Sequence, residues 1–357
     1  MKKDSENEII KGRGAQINTA NRFLKDQREI VEIEGIDEEP DLNQKTQYFH
    51  DSPKKIINKV DSPDLGMGYS MNPYQGCEHG CIYCYARNTH EYWGFNAGLD
   101  FEQKIIVKRN APEALRKQLC NPKWEVMPIM LSGNTDCYQP AEKKFQITRK
   151  ILEVLIDFKH PVSIISKNQL ILRDLNLLKQ LNQDKLISVN LSITTLSETT
   201  RRKLEPRTAS AKNRLKVVKT LSEAGIPVNV MVAPIIPGLN SHEIPKLIKA
   251  AADSGALSAA YTMVRLNGAI GEIFTDWVHK AFPNKAGKIL RQIKECHNGK
   301  LNDSRFGVRT RGEGVVATQI KHLFSIAKQQ HFKGRKMPKL NREAFKRNGG
   351  TQLSIWQ

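Results

Sequence analysis

The sequence predicts an α/β fold built on a parallel sheet, and three observations predict it. Apolar runs of strand length stand at residues 128–131, 162–165, 186–193 and 228–236. Between them lie segments whose apolar residues recur with helical spacing. The strand runs are nearly continuous in hydrophobicity, the pattern of strands covered by helices on both faces in a parallel sheet.

The elements follow in chain order. Residues 1–65 are charged and lack periodicity, which predicts an irregular polar extension. Within it, Gly12-Arg13-Gly14-Ala15 is read first as a turn and second as a place where backbone approaches a phosphate or cofactor. Asn21-Arg22-Phe23 is the other distinctive piece. From Tyr69 the pattern changes to strands and helices. Ile147, Ile151 and Leu155, with Leu152 and Ile156, form one helical face; Leu215, Val218 and Leu221 form another, ended by Gly225 and Pro227. Asn240 with Glu243 three residues on predicts a capped helix carrying Leu247, Ile248, Ala251 and Ala252. Residues 66–300 are expected to be one core and 301–357 a basic extension. In that extension Lys333, Arg335, Lys336, Lys339, Arg342, Lys346 and Arg347 could form a mobile arm, and the final Gln352 to Trp356 alternate like a short strand.

The chain has 357 residues, six cysteines and a formal charge of +19. Six cysteines in a chain of this length do not make a disulfide framework, which predicts a reducing compartment. The first residues have no apolar signal region, and no apolar run is long enough to span a membrane, so a cytoplasmic protein is expected. The positive charge points to a polyanionic partner, DNA or RNA. Helix faces solvated by Lys and Arg are the plainer explanation.

Cys77, Cys81 and Cys84 carry the chemistry. Their C-x3-C-x2-C spacing is short enough to wrap one metal cluster, and three thiolates on a four-iron cluster leave one iron open to a small molecule. A zinc site completed by His79 or His90 is the alternative, although structural zinc usually takes two separated ligand pairs. A redox pair of Cys81 and Cys84 would leave Cys77 unexplained. Cys120, Cys137 and Cys296 are left over, and the plain expectation for each is a small buried hydrophobe.

With Tyr83 just ahead of the last cysteine, the motif resembles that of the radical S-adenosylmethionine (SAM) superfamily. The resemblance implies a partial (β/α)6 barrel with the cysteine loop after its first strand. It also implies a [4Fe-4S] cluster on Cys77, Cys81 and Cys84 whose open iron chelates SAM, and a 5′-deoxyadenosyl radical that abstracts hydrogen from substrate. A one-electron donor such as flavodoxin or ferredoxin is implied as well.

Active residues of such sheets gather at the carboxyl ends of the strands. Asn134-Thr135-Asp136 departs from the superfamily's usual Gly-Gly-Glu and looks like the spore photolyase branch; these residues would contact SAM, or Asp136 would merely cap a helix. Ser166-Lys167-Asn168 is similar to that branch's Thr/Ser-Lys-Ser/Thr element, so Lys167 would bind the SAM carboxylate. Asn190, Ser192 and Thr194 share one strand face and need polar partners, which a cofactor would supply. Lys203-Leu204-Glu205-Pro206-Arg207-Thr208 resembles the branch's Glu-x-Arg loop, which makes Arg207 a cofactor-site candidate. Ile236, in the stretch from Pro234 to Asn240, stands where the superfamily packs SAM adenine.

The branch resemblance covers residues 71–240. Gly133 stands where the relay cysteine of spore photolyase would be, so the same lesion reversal is not expected. Cys137 or Tyr138 could instead donate hydrogen in a related reaction. Tyr85, Tyr92, Trp93 and Phe95 are expected to seal the cluster from water, with base stacking as the second role. The leading expectation is a radical SAM enzyme that modifies or repairs a nucleic acid. The alternatives are the same chemistry on a protein, peptide or metabolite, and a non-enzymatic metal-binding nucleic-acid module.

Overall fold

The computed structural model describes residues 9–24, 45–64, 66 and 68–347. Its strands are β1 (Gln47–Asp51), β2 (Ile57–Lys59), β3 (Tyr69–Met71), β4 (Tyr74–Gln75), β5 (Lys104–Lys108), β6 (Ile129–Leu131), β7 (Val162–Ser166), β8 (Ile187–Ser192), β9 (Val228–Ile235) and β10 (Ser258–Met263). A seven-stranded sheet runs β10-β9-β8-β7-β6-β3-β2. From β3 to β10 every pair is parallel, and β2 adds an antiparallel edge. This is the expected six-stranded parallel unit, left open between its outer strands. A small sheet, β1-β5-β4, stands beside it.

Register separates the two faces of the large sheet, because in-register neighbours of a parallel pair point the same way. Ile129, Val162 and Ile187 form one apolar row, and Leu131, Ile164, Val189 and Val228 the next; all are buried under the crossover helices. The other face carries Ser70, Met130, Ser163 and Ser188 in one row and Ile165, Asn190, Asn229 and Ser258 in another. There Asn229 Nδ2 donates to Asn190 Oδ1 (2.9 Å), Asn190 Nδ2 donates to Ser163 Oγ (2.9 Å), and Ser163 pairs with Ser188 (2.9 Å). The apolar runs had suggested burial of both faces under helices. The inner face is instead a polar, partly accessible wall, since a curved sheet turns it toward the barrel interior.

The gap between β10 and the first strands is bridged by the loop 303–312. Met263 N–H donates to Thr310 O (2.8 Å) at one side, and Gly307 N–H donates to Asp64 Oδ1 (2.7 Å) at the other. Arg309 reinforces the second side through Asp64 and Ser62.

Three expectations are corrected. The N-terminal lead is not wholly irregular, since it supplies β1 and β2. β10 was missed because its Ser258-Ala259-Ala260 start has little strand propensity and only Tyr261 and Thr262 favour a strand. The basic tail is not a free arm over residues 333–347. Arg335 donates to the carbonyls of Ala252 and Ala256 (both 2.8 Å), Asn341 N–H to Lys185 O (3.0 Å) and Lys346 N–H to Phe158 O (2.9 Å). Those acceptors precede β8 and β7, so the tail crosses the end of the barrel opposite the cysteine loop. The terminal Gln352 to Trp356 lie outside the described residues. Among the described residues, no helix is long and apolar enough to cross a membrane.

The two faces should respond differently to truncation. Ile164→Ala is expected to cost ~2–5 kcal/mol, and Ser163→Ala less, about 1–3 kcal/mol for the two modest hydrogen bonds of its hydroxyl. Urea denaturation of both variants checks the difference.

Candidate active site

The cysteine loop leaves β3 at the carboxyl end of the sheet and is shaped by hydrogen bonds rather than by regular structure. Cys77 N–H donates to Phe101 O (2.8 Å), Ile82 N–H to Leu204 O (3.1 Å) and Cys84 N–H to Cys81 O (3.3 Å). Arg87, fully buried, reaches under the loop. Its Nε and Nη2 donate to Cys81 O (3.1 and 3.0 Å), its Nη1 to Ala97 O (3.2 Å) and Gly98 O (2.9 Å), and its Nη2 to Glu102 Oε1 (2.6 Å). The Glu102 carboxylate also accepts from Gly14 N–H (3.0 Å) and Ala15 N–H (2.8 Å). A methyl group added at Gly14 would lie 1.7 Å from Gly80 O. The Gly12-Arg13-Gly14-Ala15 segment is therefore a strap across the cysteine loop, and only glycine allows that approach.

The donor set suits an iron-sulfur cluster. Cys77 and Cys81 are buried and Cys84 nearly so, and all six cysteines are free. Burial pushes the Cys81 thiol up to about 12 and raises those of Cys77 and Cys84 as well. Thiolates here need the positive charge of bound iron. Among the described residues, no three His, Cys, Asp or Glu side chains gather on a single ion. His79, considered as a fourth zinc ligand, faces Asp136 through Nδ1 (3.4 Å) and accepts from Asn168 Nδ2 at Nε2 (3.1 Å). Burial, with Lys167 and Arg214 nearby, lowers its pKa to about 4 despite Asp136, so the ring is neutral. His90 is wedged between Phe95 and Phe101.

Two carboxylates, the buried Glu205 and the partly buried Asp136, organise the strand ends around this loop. Asp136 accepts from Ser166 Oγ (2.9 Å), Lys167 N–H (2.7 Å) and Tyr138 N–H (2.9 Å). Glu205 accepts from Tyr83 and Arg214, from Thr194 Oγ1 (2.6 Å) and from Thr208 Oγ1 (3.4 Å). Burial opposes ionisation of Glu205, but Arg214 and Lys167 outweigh it and hold the carboxyl at about 2. Lys167 itself stays charged: desolvation works against it, while Cys81, Glu205 and Asp136 raise its pKa. Arg214 also donates to Ser192 O (2.9 Å) and Ala209 O (2.8 Å). Ile236 packs in one apolar cluster with Cys81, Ile82 and Tyr83.

Tyr83, Asp136, Lys167, Ser192 and Ile236 are thus brought around the cysteine loop. Asn134 is exposed beside it, its N–H donating to Asn72 Oδ1 (2.8 Å). Thr135 is turned to backbone, donating to Tyr74 O (2.5 Å). Arg207 holds the loop from outside: its N–H donates to His79 O (3.3 Å) and its side chain is exposed. In that loop the inward group is Glu205. Cys137 and Tyr138 are fully buried in the layer between sheet and helices, where the charged neighbours are Asp136, Glu142, Asp174 and Arg173. The structure does not bring them to the cysteine loop. Sequence reasoning missed Arg87, Glu102 and Arg214, which read as ordinary charged residues; each is buried only because of where its helix docks.

The aromatics after the cysteines do not all seal. Tyr85, Tyr92 and Trp93 are 52%, 70% and 40% exposed, and Phe23 stacks on Tyr92 at 4.5 Å. Only Phe95 turns inward, against His90 and Phe49.

Residues 71–251 match the radical SAM superfamily, and the chain belongs to it. It is therefore a radical SAM enzyme, a class that uses a [4Fe-4S] cluster and SAM. An uncharacterized protein of Mycobacterium tuberculosis is 34% identical over 233 residues, 64% of this chain and 68% of that one. A Radical SAM Nalpha-GlyT isomerase of Pseudomonas phage M6 is 25% identical over 172 residues, covering 48% of this chain and 34% of the phage protein. A double mutant of spore photoproduct lyase with bound AdoMet and dinucleoside spore photoproduct superposes with a TM-score of 0.60 at 16% identity. That match covers 85% of this chain and 86% of the lyase, and it establishes likeness of fold.

Gly14→Ala should force the strap off the loop. Faster hydrogen exchange at residues 77–84 of the apoprotein is expected, while Gly287→Ala, with nothing within 4 Å of the added methyl and no left-handed backbone to strain, should leave those amides unchanged. Glu205→Gln strands Arg214 as a buried cation and is expected to cost ~3–5 kcal/mol by chemical denaturation.

Proposed function

We propose that this enzyme holds its cluster on Cys77, Cys81 and Cys84, cleaves SAM reductively and acts on a nucleic acid. The observation that carries the cofactor assignment is Lys167: a partly buried ammonium beside Cys81, at the carboxyl end of β7, with no hydrogen-bonded acceptor for its side chain among the described residues. Such a point charge suits a carboxylate, here that of SAM. When bound, the cluster and SAM supply the hydrogen-abstracting radical.

The chain's own residues orient and shield. Asp136, through Ser166 and the Lys167 backbone, fixes the strand end from which the ammonium projects. Glu205 balances Lys167 and Arg214 and holds the Tyr83 hydroxyl beside the last cysteine. Ile236 and its apolar neighbours give a surface for adenine. Neutral His79 adds no competing cation next to the cluster.

Three observations support a nucleic-acid substrate: the +19 charge, the exposed Tyr85, Tyr92 and Trp93 beside the cysteine loop, and the dinucleoside held by a protein of the same fold. Phosphates are met by cations and bases by exposed rings. A small acidic one-electron carrier, flavodoxin or ferredoxin in kind, suits the chain's positive charge as reductant.

Replacing Cys77, Cys81 or Cys84 by Ala should abolish 5′-deoxyadenosine formation by the anaerobically reconstituted protein. Lys167→Ala should keep the iron content and weaken SAM binding roughly 10- to 100-fold, the loss of one charged hydrogen bond; unchanged affinity would remove Lys167 from the site. Oligonucleotide affinity should fall steeply with salt, and a peptide or metabolite that stimulates turnover when nucleic acids do not would overturn the substrate reading.

A further inference from the structure

The loop 303–312 and the end of β10 gather four arginines and three carboxylates at the open side of the barrel. Arg305 is paired with Asp303 (2.5 Å) and Glu313. Arg309 is paired with Asp64 and donates to Ser62 Oγ (2.6 Å). Arg311 donates to Tyr261 O (3.1 Å) and lies over the Tyr261 ring at 4.6 Å. Arg265, two residues past β10, is left over. Its Nε is buried without a hydrogen-bond partner, and its guanidinium forms no ion pair among the described residues. The neighbouring carboxylates, Asp64 and Asp303, are committed to Arg309 and Arg305.

A desolvated N–H with no acceptor is costly, and such a group in a native structure needs an explanation. Here the position supplies one. Arg265 follows the carboxyl end of the last barrel strand, where ligands of such sheets bind. Tyr85, the residue after Cys84, lies within its electrostatic reach and extends its hydroxyl to Gly133 O at the end of β6. The segment after β10 is fixed to the cysteine side, because Asn88 Nδ2 donates to Asn267 O (2.8 Å) and Ala269 N–H donates to Asn88 Oδ1 (3.1 Å). Close by, Phe306 is 58% exposed, with the Arg309 guanidinium 4.4 Å from its ring centre. At the rim of the barrel one guanidinium thus has no committed partner among the described residues, near the exposed Tyr85 and the Arg309–Phe306 pair.

We propose that Arg265 is a substrate-binding residue that grips a backbone phosphate of the nucleic acid, with Phe306 and Tyr85 offering ring faces to adjacent bases. This rests on the nucleic-acid reading above. A planar guanidinium fork matches phosphate and carboxylate alike, and the rings beside it together with the basic chain favour phosphate.

The test uses the full-length, reconstituted protein and fluorescein-labelled single-stranded DNA and RNA oligonucleotides, with affinity measured across a salt series. Arg265→Gln should weaken binding at least about 10-fold and lower the salt slope by roughly one phosphate contact. Iron content and substrate-free SAM cleavage should stay at the parent level. Arg265→Lys should keep the slope and lose several-fold in affinity, and this charge-conserving variant serves as the test should the Gln variant fold poorly. Lys219→Gln, a surface change of equal charge, should lose much less. A parent protein that binds no oligonucleotide would sink the nucleic-acid reading itself. Parent-like binding by both Arg265 variants, with the parent binding well, would overturn this inference alone. Loss of acidic-peptide binding with oligonucleotide binding intact would overturn it in favour of a carboxylate.

Discussion

A fully buried guanidinium gives the cysteine loop its shape. Arg87 donates to the Cys81 carbonyl twice, to two further carbonyls and to Glu102, so a segment with almost no secondary structure is fixed about one charged centre. Burying that charge would be prohibitive without these partners. The requirement propagates outward: Glu102 must itself be buried to pair with Arg87, and its second oxygen then recruits the N-terminal strap through Gly14. The geometry of three thiols on one short loop is a consequence of this network rather than of local propensity.

A second charge balance sits on the other side of the loop. Glu205 and Arg214 are buried together beside the partly buried Lys167, and their mutual attraction offsets the cost of desolvation. Lys167 is the member whose ammonium has no hydrogen bond among the described residues, and we assign it to an anionic cofactor for that reason. Arg265 repeats the arrangement at the rim: its neighbours pair off and leave one cation unspent. In both places the informative residue is the one whose partners are already committed.

Much of the fold was legible because hydrophobic periodicity reports burial. The strands β6 to β9 lay within one or two residues of the apolar runs, and the Ile147 and Leu215 faces became helices. β10 was illegible, because alanine and serine in a strand facing a polar interior carry no strong signal. The polar inner face was partly legible in the shared parity of Asn190, Ser192 and Thr194, but its orientation toward a cavity depends on sheet curvature, which no local pattern encodes. In the site, the cysteine spacing and Lys167 could be read from motif and strand end. Glu205 and Arg207 could not be ranked, since which of two loop residues turns inward depends on Arg214, nine residues on from Glu205. Arg265, flanked by Val264 and Leu266, gave no signal at all, because its importance lies in what its neighbours bind.

The central claim is a single cluster with one iron open to SAM, and the electron paramagnetic resonance spectrum of the reduced, reconstituted protein tests it most directly. The account predicts one [4Fe-4S]+ signal that shifts when SAM is added, because SAM would coordinate the iron that no cysteine occupies. A spectrum indifferent to SAM, or a protein that binds zinc in place of iron at Cys77, Cys81 and Cys84, would contradict it.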